Sequence, residues 1–298
     1  MSFVPGAVRL TVPATSANLG PGFDSLGLAL DLRDELTAGV IAAGLEVDVV
    51  GEGAGELPTD GSHLVVRAMR LAFDALGGQP PGIRLTCRNV VPHARGLGSS
   101  SAAIVAGVNL ARALVDDGRS RLPDLAAFQL AAELEGHPDN VAAASFGGLT
   151  VAWREEGAFH AAPAQVAPGV RAVALVPPTA VSTEAARALL PATVPHVDAA
   201  ASAGRAALLV AALGTGWTAK LHDATRDWLH QEYRRSAMPE TLDLVDGLRA
   251  AGHAAVISGA GPSVLVLTDG AGQAKLRPFA PSGWQVLELE VGTGVHLG

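Results

Sequence analysis

The chain has 298 residues, 49% of them hydrophobic and 17% charged, which excludes a disordered protein and predicts a globular one with a sizeable core. Its net charge of −8 and its pI near 5.5 argue against a nucleic-acid-binding protein, which needs a basic face. The sequence has neither an uninterrupted apolar run of about 20 residues nor a secretory signal at its start, so we expect a cytoplasmic protein that is not bound to a membrane.

Two residue counts limit the chemistry. Cys87 is the single cysteine, so an intramolecular disulfide is excluded, and its alternation with Arg84 and Arg88 predicts that it faces the core from a strand. The two lysines, Lys220 and Lys275, do not follow a glycine-rich loop. Any phosphate site must therefore work without the lysine of a Walker-type loop.

Strand and helix signals alternate along the first half of the chain. The predicted strands are 8–12, 27–30, 36–41, 45–50, 83–89 and 149–153. The predicted helices are 64–76, 97–114 and 124–133, the first of them capped by Ser62 and ended by Gly77. Residues 13–24 are rich in Gly, Pro, Ser and Asn and are predicted to form a loop.

The second half continues the alternation after a segment, 155–169, that is rich in Ala, Pro and Gly. Strands are predicted at 171–176, 255–258 and 264–268, and helices at 183–190, 197–213 and 241–251. We expect layered α and β structure in two domains, 1–154 and 155–298. The direction of the strands is left open, because several N-terminal strands are joined too closely for helical crossovers.

The strongest motif lies between a predicted strand and a predicted helix. Its residues are Pro92, His93, Ala94, Arg95, Gly96, Leu97, Gly98, Ser99, Ser100, Ser101 and Ala102. Gly96 and Gly98 let the backbone approach an anion, and the serines follow at a helix N-terminus, where unpaired N–H groups and the helix dipole favour phosphate. A side chain at Gly98 is expected to enter the phosphate space and to spare the fold.

Two alternatives to a phosphate loop are weighed at this motif. One is an ordinary strand-to-helix turn, which also favours Gly and Ser. The other is a degenerate dinucleotide-binding fingerprint, which needs an acidic residue at a strand end about 20 residues further on. Asp116 and Asp117 fall at that distance, but at the end of a predicted helix.

Weaker glycine-rich motifs flank the central one. Residues 13–24, PATSANLGPGFD, carry Asn18 and Asp24, which can hold a hydroxyl and an ammonium group. Residues 257–267, ISGAGPSVLVL, permit close approach to a backbone or a ligand. Together and in this order, the three motifs resemble the GHMP kinase family, named after galactokinase, homoserine kinase, mevalonate kinase and phosphomevalonate kinase. The resemblance extends from residue 8 to residue 267.

The resemblance implies a fold of the α/β class (α+β type) in two domains, with the active site in the cleft between them. It implies an enzyme that uses ATP and Mg²⁺, with small molecules rather than nucleic acid or membrane as partners. A homodimer is left open.

Further segments are similar to the members of the family that phosphorylate homoserine, namely residues 13–27, 135–142, 181–191 and 227–234. The similarity implies phosphorylation of the side-chain hydroxyl of L-homoserine to O-phospho-L-homoserine, a step toward threonine. Two alternatives stay open: a kinase of another carboxylate-bearing alcohol such as mevalonate or shikimate, and a catalytically silent regulator that binds ligand.

Individual roles follow from the matched positions. The substrate would be bound by Asn18, Asp24, His137, Asn140, Arg187, Arg234 and Gly259, and the metal by Ser100 and Glu135, with Glu133 as the alternative carboxylate. Asp139, Asn140 and Arg187 are the expected catalytic residues, Asp139 positioning its neighbours rather than taking a proton. Ser101 stands where the family usually has alanine.

The residue chemistry agrees with this assignment independently of the family. The arginine fork binds both oxygens of a carboxylate, and Asp24 and Asn18 suit an ammonium group. Without a loop lysine, the charge of the transferring phosphoryl would be met by backbone N–H groups, the helix dipole and Mg²⁺. A solvated surface position is the alternative for Arg187 and Arg234, and the role of Arg95 is left open.

Overall fold

The structure, a computed structural model, describes residues 2–270 and 275–298. The first half of the chain forms β1 Ala7–Asn18, β2 Gly22–Val40, β3 Gly44–Gly51, α1 Leu64–Leu76, β4 Gly82–Asn89, α2 Ser99–Leu114, α3 Gly118–Arg121, α4 Asp124–Glu135, α5 Asp139–Phe146, β5 Leu149–Glu155 and β6 Ala158–Ala164. The second half forms β7 Val170–Val176, α6 Thr183–Ala188, α7 His196–Thr215, α8 Leu221–Ala224, α9 Pro239–Ala250, β8 Ala254–Ile257, β9 Val264–Asp269, β10 Gln285–Glu290 and β11 His296–Leu297.

The larger sheet has the order β11-β1-β2-β4-β3, and β2 also pairs with β5, which pairs with β6. Within the described residues the pairings are antiparallel, apart from the parallel pair of β3 and β4. The strand β2 is long enough to pair with β4 through its second half and with β5 through its first half. Helices α1, α2, α4 and α5 contribute to the hydrophobic core of this sheet.

The smaller sheet has the order β10-β7-β9-β8 and is antiparallel within the described residues. The side chains of β7 alternate between its two faces, as the period of a strand requires. Ala172 and Ala174 face a core that includes α7, whereas Val173 and Leu175 face a core that includes α9. Both faces of the central strand are therefore buried.

One hydrophobic cluster joins the two halves of the molecule. It contains Leu28 and Leu149 from the larger sheet together with Val170 from the smaller sheet and Leu213 from α7. The C-terminal segment also returns to the larger sheet, where β11 pairs with β1. The halves that the sequence separates are thus packed on a common core.

Most predicted elements are confirmed within a few residues, and the exceptions have tertiary causes. The prediction of a loop over 13–24 is wrong for most of that segment, because β1 continues to Asn18 in pairing with β2. Helices α3, α5 and α8 and strands β6, β10 and β11 were not predicted, and the predicted strands 27–30 and 36–41 belong to the single strand β2. The cap prediction is wrong as well, because His63 holds the N-cap position of α1 and the Ser62 hydroxyl donates to Asp60.

Helix α7 has the length and composition of a membrane span, with a mean hydropathy of 1.4, and 22% of its most apolar window is buried. A core helix of a soluble protein passes the same test, so one such helix is weak evidence for a span. The helix also carries Asp198 and Arg205.

Candidate active site

The three glycine-rich motifs meet around a cavity of about 240 Å³. The residues predicted from the sequence that line it are Asn18, Ala94, Gly96, Gly98, Ser99, Ser100, Glu135, His137, Asp139, Asn140, Arg187, Arg234 and Gly259. Asp24 does not line the cavity itself, but it forms an ion pair with Arg187, which does. Residues that lie far apart in the sequence are thereby brought together.

The phosphate-loop motif ends at the N-terminus of α2. Gly98 is the N-cap residue in the left-handed conformation, with φ 69°, and no side chain caps the helix within the described chain. The first N–H groups of α2, from Ser99 onward, therefore have no helical partner and lie at the cavity. This arrangement provides N–H donors and the positive end of a helix dipole for an anion.

The side chain of Arg95 bonds to the protein backbone and thereby holds the phosphate loop in place, rather than facing a ligand. Its guanidinium donates to the carbonyl oxygens of His93, Pro177 and Pro178 at 2.9, 3.1 and 2.6 Å. It is thereby committed to backbone acceptors, two of which follow β7 in the other half of the molecule. The question that the sequence leaves open at Arg95 is answered in favour of a structural role.

The glycines of the loop serve the packing of the protein itself. A Cβ on Gly96 would lie 2.3 Å from the carbonyl oxygen of Ser258, and a Cβ on Gly98 would lie 1.9 Å from Oγ1 of Thr15. The hydroxyl of Thr15 donates to Oδ1 of Asn140 at 2.8 Å. A side chain at Gly98 would therefore also displace Thr15 from Asn140, so we expect a loss of stability in addition to the loss of nucleotide affinity, and survival of the fold stays a prediction.

Hydrogen bonds join the first motif to the third. The side chain of Asn18 donates to the carbonyl oxygen of Gly259 at 2.9 Å and accepts from the N–H of Asp24 at 2.9 Å. The hydroxyl of Ser258 is 2.8 Å from that of Ser16 and 2.6 Å from the carbonyl oxygen of Gly96. Asn18 thus acts first as a brace that holds the loop carrying Asp24.

Asp24 and Arg187 form a two-pronged ion pair. Nη1 and Nη2 of Arg187 lie 3.0 and 2.5 Å from the two carboxylate oxygens of Asp24. Arg187 lies in the last turn of α6, whose N-cap residue Ser182 accepts from the N–H of Ala185. The groups predicted for the carboxylate and the ammonium of the substrate are therefore paired with each other here.

Arg234 is buried, with 1% of its surface exposed, so the alternative of a surface arginine is wrong. Its Nη1 lies 3.0 Å from the carbonyl oxygen of Gly259 and 3.0 Å from Nδ1 of His230. Its Nε has no hydrogen-bond partner among the described residues. Burial is the main cause that lowers the pKa of Arg234 to about 10, and a buried cation of this kind is stabilised by an anion.

Phe23 links the two arginines and was missed by sequence reasoning. The guanidinium carbons of Arg187 and Arg234 lie 5.6 and 5.9 Å from the centre of its ring, within the range of a cation–π contact. The ring also stacks on His230, with 5.2 Å between the ring centres. Its place directly before Asp24 is the only signal that the sequence offered.

Glu135 is the acidic residue of α4 that faces the cavity. Its Oε1 accepts from the hydroxyl of Ser100 at 2.6 Å and from that of Ser101 at 2.7 Å. Glu133 is exposed, and its carboxylate accepts from Gln129 instead. Of the two candidate metal carboxylates, only Glu135 lies beside the phosphate loop.

This donor set fits a magnesium ion that arrives with phosphate. The described residues contain no group of three or more His, Cys, Asp or Glu side chains able to hold a metal on their own. Mg²⁺ ordinarily takes one or two protein carboxylates together with substrate phosphates and water. Glu135 and Ser100 at the helix N-terminus match that requirement.

His137, Asp139 and Asn140 lie at the start of α5. Nδ1 of His137 is 2.9 Å from Oδ1 of Asp139, which also accepts from the N–H of Asn140 at 2.8 Å. Burial tends to lower the pKa of His137, but the hydrogen bond to Asp139 and the charges of Asp139 and Glu135 outweigh burial and raise it. A Cβ on Gly27 would lie 2.2 Å from the carbonyl oxygen of Asp139, so α5 approaches β2 only because that residue is glycine.

A second cavity of about 240 Å³ adjoins the first at Ser99 and Ser100. Its walls include the apolar side chains of Val12, Leu36, Leu64, Val65 and Cys87. His63 also lines it, is 4% exposed, and has no hydrogen-bond partner at either ring nitrogen in the described part of the chain. A mainly apolar cavity with a few polar groups suits a flat heterocyclic ring. Sequence reasoning did not find it.

Comparison with protein families agrees with the geometry. The profile of the GHMP kinases N terminal domain matches residues 63–148, and the profile of the GHMP kinases C terminal domain matches residues 209–280. The first match includes the phosphate loop, Glu135 and α5.

Two proteins that are similar in sequence along nearly the whole chain are named homoserine kinases. The chain is 55% identical to a homoserine kinase of Streptomyces avermitilis over 97% of this chain and 95% of that protein. It is 47% identical to a homoserine kinase of Corynebacterium diphtheriae over 97% of this chain and 96% of that protein.

Solved structures give the same fold. The homoserine kinase from Cytophaga hutchinsonii aligns with a TM-score of 0.83 at 27% identity, covering 98% of this chain and 97% of that one. A structure described as a putative homoserine kinase from Listeria monocytogenes aligns with a TM-score of 0.77 at 33% identity, covering 98% and 99%.

Proposed function

The chain belongs to the GHMP kinase family, and from this membership we propose that it transfers the γ-phosphate of ATP to the side-chain hydroxyl of L-homoserine. The product is O-phospho-L-homoserine, on the route to threonine. One observation carries the substrate assignment: the phosphate loop at the start of α2 shares a cavity with two arginines and, through Arg187, with Asp24. A phosphate donor and a zwitterionic amino acid are thereby accommodated side by side.

The nucleotide is assigned to the loop and to the adjoining cavity. The N–H groups of residues 96–101 would hold the triphosphate, whereas that of Ala102 donates to the carbonyl oxygen of Gly98. The helix dipole of α2 offsets the charge of the triphosphate. The adenine ring would enter the second cavity, where it would give a hydrogen-bond partner to His63, whose ring nitrogens have none among the described residues. Mg²⁺, held through Ser100 and Glu135 when bound, supplies charge neutralisation on the transferring phosphoryl group.

The amino acid is assigned to the opposite side of the cavity. Arg234 is buried, and its Nε has no hydrogen-bond partner among the described residues, so a substrate carboxylate would give this cation a directly bonded anion. Arg187 turns from Asp24 to the same carboxylate, and Asp24 then takes the ammonium group. The internal ion pair is thus exchanged for two pairs with the substrate, and the desolvated charges stay compensated throughout.

The reaction requires positioning more than proton removal. Phosphoryl transfer passes through a loose transition state in which the attacking hydroxyl loses its proton late. Asp139 is 2% exposed and already accepts from His137 and Asn140. We assign it to the orientation of these two residues, and Asn140 to the orientation of the hydroxyl. If Asp139→Asn removed the acidic limb of the pH–rate profile, Asp139 would instead be a base.

An assay of ADP release across homoserine, threonine, mevalonate and shikimate tests the proposal. We expect turnover with homoserine, and a product heavier than homoserine by one phosphoryl group in the mass spectrum. Preferred turnover of mevalonate or shikimate would transfer the assignment to another alcohol. ATP binding without turnover of any of the four would favour the catalytically silent regulator.

Three broader assignments belong to the same proposal. We place the enzyme in the cytoplasm and propose two domains, an N-terminal ATP-binding domain of residues 1–154 and a C-terminal domain of residues 155–298. In this division β6 and β11 are later segments that complete the larger sheet. A homodimer stays a prediction, which sedimentation equilibrium of the purified protein measures.

A further inference from the structure

Ser101 is a buried polar residue to which neither the family resemblance nor the proposed reaction assigns a role. It is 0% exposed and follows Ser100 on the first turn of α2. Its hydroxyl donates to Oε1 of Glu135 at 2.7 Å, across the interface between α2 and α4. The position is one where the family usually has alanine.

Ser100 and Ser101 differ in what they can do for Glu135. Both hydroxyls donate to the same carboxylate oxygen, at 2.6 and 2.7 Å. Ser100 is exposed to the cavity, so a bound ligand can draw its side chain away. Ser101 has no access to the cavity, so its hydroxyl continues to donate its hydrogen bond to Oε1 whatever the cavity contains. Oε2 of Glu135 makes no hydrogen bond within the described chain and stays open to a ligand.

Glu135 needs such a donor because of its place in α4. It is the last residue of that helix, where the negative end of the helix dipole disfavours a carboxylate. His137 does not hydrogen-bond to it, because Nε2 lies 3.9 Å from Oε1, at the outer limit of an ion pair. The hydroxyl protons from the start of α2 are therefore the direct contacts that orient the carboxylate.

We propose that Ser101 is the positioning residue of the metal site: it holds Glu135 by Oε1 and keeps Oε2 directed to the cation that accompanies the nucleotide. The inference rests on the proposed function, because it takes Glu135 as the metal carboxylate. Hydrogen bonds that orient a metal ligand act on metal affinity through the ligand. Ser101 therefore affects the cation without touching the substrate.

The test compares Ser101→Ala with the parent and with Ser202→Ala. Ser202 is a matched control, since it is a buried helical serine of α7 whose hydroxyl has no partner among the described residues. The first readout is the affinity of the enzyme–ADP complex for Mn²⁺, measured by electron paramagnetic resonance. The second is the Mg²⁺ concentration for half-maximal phosphorylation of homoserine, with KM for homoserine measured beside it.

We expect Ser101→Ala to weaken Mn²⁺ binding roughly tenfold, the lower end of the effect of removing a hydrogen bond from a metal ligand. The Mg²⁺ requirement should rise by a similar factor, while metal-free ADP affinity and KM for homoserine stay at the parental values. The Mn²⁺ affinity of Ser101→Cys should lie between those of the parent and Ser101→Ala, because cysteine has only a weak S–H donor. Ser202→Ala should behave like the parent.

Two results would overturn the inference. Parental Mn²⁺ affinity in Ser101→Ala would show that Glu135 does not need the hydroxyl. If Ser101→Ala lost metal-free ADP affinity as much as Mn²⁺ affinity, and also lost thermal stability, the role of Ser101 would be merely structural. If the alanine variant does not fold, Ser101→Cys is compared with the parent in the same way. A parent enzyme that fails to phosphorylate homoserine would overturn the proposed substrate, whereas the Mn²⁺ measurement would still decide the role of Ser101.

Discussion

The two arginines of the cavity differ in their surroundings, and their substitutions should differ accordingly. Arg187 is partly exposed and has a carboxylate partner in Asp24. Arg234 is buried and bonds a carbonyl oxygen and a histidine ring. Removing Arg187 leaves a solvated carboxylate, whereas removing Arg234 also leaves a void in a packed region.

Arg187→Ala should raise KM for homoserine by one to two orders of magnitude, which corresponds to about 1.5–3 kcal/mol for a charge-assisted hydrogen bond. KM for ATP should hardly change, because the side chain of Arg187 is paired with Asp24 rather than with the phosphate loop. Arg187→Lys should restore only part of the affinity, since an ammonium lacks the two-pronged geometry. Steady-state kinetics with both substrates measures these effects.

Arg235→Ala is the control for Arg187. Its guanidinium pairs with Glu232, Asp243 and Asp246, outside the cavity. Parental KM for homoserine in Arg187→Ala would contradict the clamp. A rise in both variants would point to a general loss of structure.

Glu135→Ala should reduce kcat strongly and raise the Mg²⁺ requirement, because it removes the carboxylate beside the phosphate loop. Glu133→Ala is the control on the same helix and should keep parental values, because its partner is Gln129. The rate as a function of Mg²⁺ concentration measures both. If Glu133 proved essential and Glu135 dispensable, the metal assignment would be wrong.

Cys87 should be unreactive in the folded protein. Burial is the main cause that raises the pKa of its thiol from 9.0 to about 12, so the thiolate is scarce at pH 8. A thiol reagent at pH 8 should label the native chain very slowly and the chain in guanidinium chloride at once. The raised pKa favours the folded state below pH 9, and this contribution is lost as the pH rises toward 12. Rapid native labelling would contradict the burial.

At the scale of elements, the phosphate loop is held by both halves of the protein. Arg95 donates a hydrogen bond to the carbonyl oxygen of Pro177, which follows β7, and the hydroxyl of Ser258 donates one to the carbonyl oxygen of Gly96. The loop is therefore ordered before a nucleotide arrives, which reduces the entropy lost on binding.

Gly98→Ala should weaken ATP binding at least tenfold and lower thermal stability. The added Cβ would displace Thr15, and a residue other than glycine is strained at φ 69°. Gly157→Ala separates the two causes, because Gly157 has φ 87° and open space where a Cβ would lie. We expect Gly157→Ala to cost about 1–2 kcal/mol of stability and to leave ATP affinity unchanged. Calorimetric titration and thermal melting measure both; parental ATP affinity in Gly98→Ala would contradict the loop assignment.

At the scale of the whole molecule, the shared core couples the two halves. Leu28 and Leu149 of the larger sheet pack in one cluster with Val170 and Leu213 of the second half. Separating the halves would expose this apolar surface to water, at about 25 cal/mol per Å².

The full chain should unfold in one cooperative transition. Circular dichroism reports both sheets, and tryptophan fluorescence reports Trp153 in the larger sheet together with Trp217, Trp228 and Trp284 in the second half. The two denaturant curves should coincide. A fragment of residues 1–154 should fail to fold alone, since it lacks β6, β11 and most of the shared core. Two separate transitions, or a folded fragment, would show independent domains.

The sequence by itself determined the local elements and the chemical inventory. Period and flanking glycines predict α1 and β4 almost to the residue. The order of three glycine-rich motifs indicates a lysine-free phosphate loop, and the two arginines with Asp24 indicate a zwitterionic substrate. The elements and each motif are properties of neighbouring residues, which sequence patterns record directly, whereas the two arginines and Asp24 are brought together only by the resemblance to the family.

Only the tertiary structure decided which partner each group takes. Glu133 and Glu135 are two residues apart on a helix, so they project to different sides, and the packing of α4 on α2 selects Glu135. Pairing with β2 overrides the turn composition that predicts a loop before Asn18. Arg95 turns to carbonyl oxygens that lie 82 and 83 residues away, and Arg187 turns to a carboxylate 163 residues away. Contacts of such separation depend on the packing of the whole chain, which no local pattern contains.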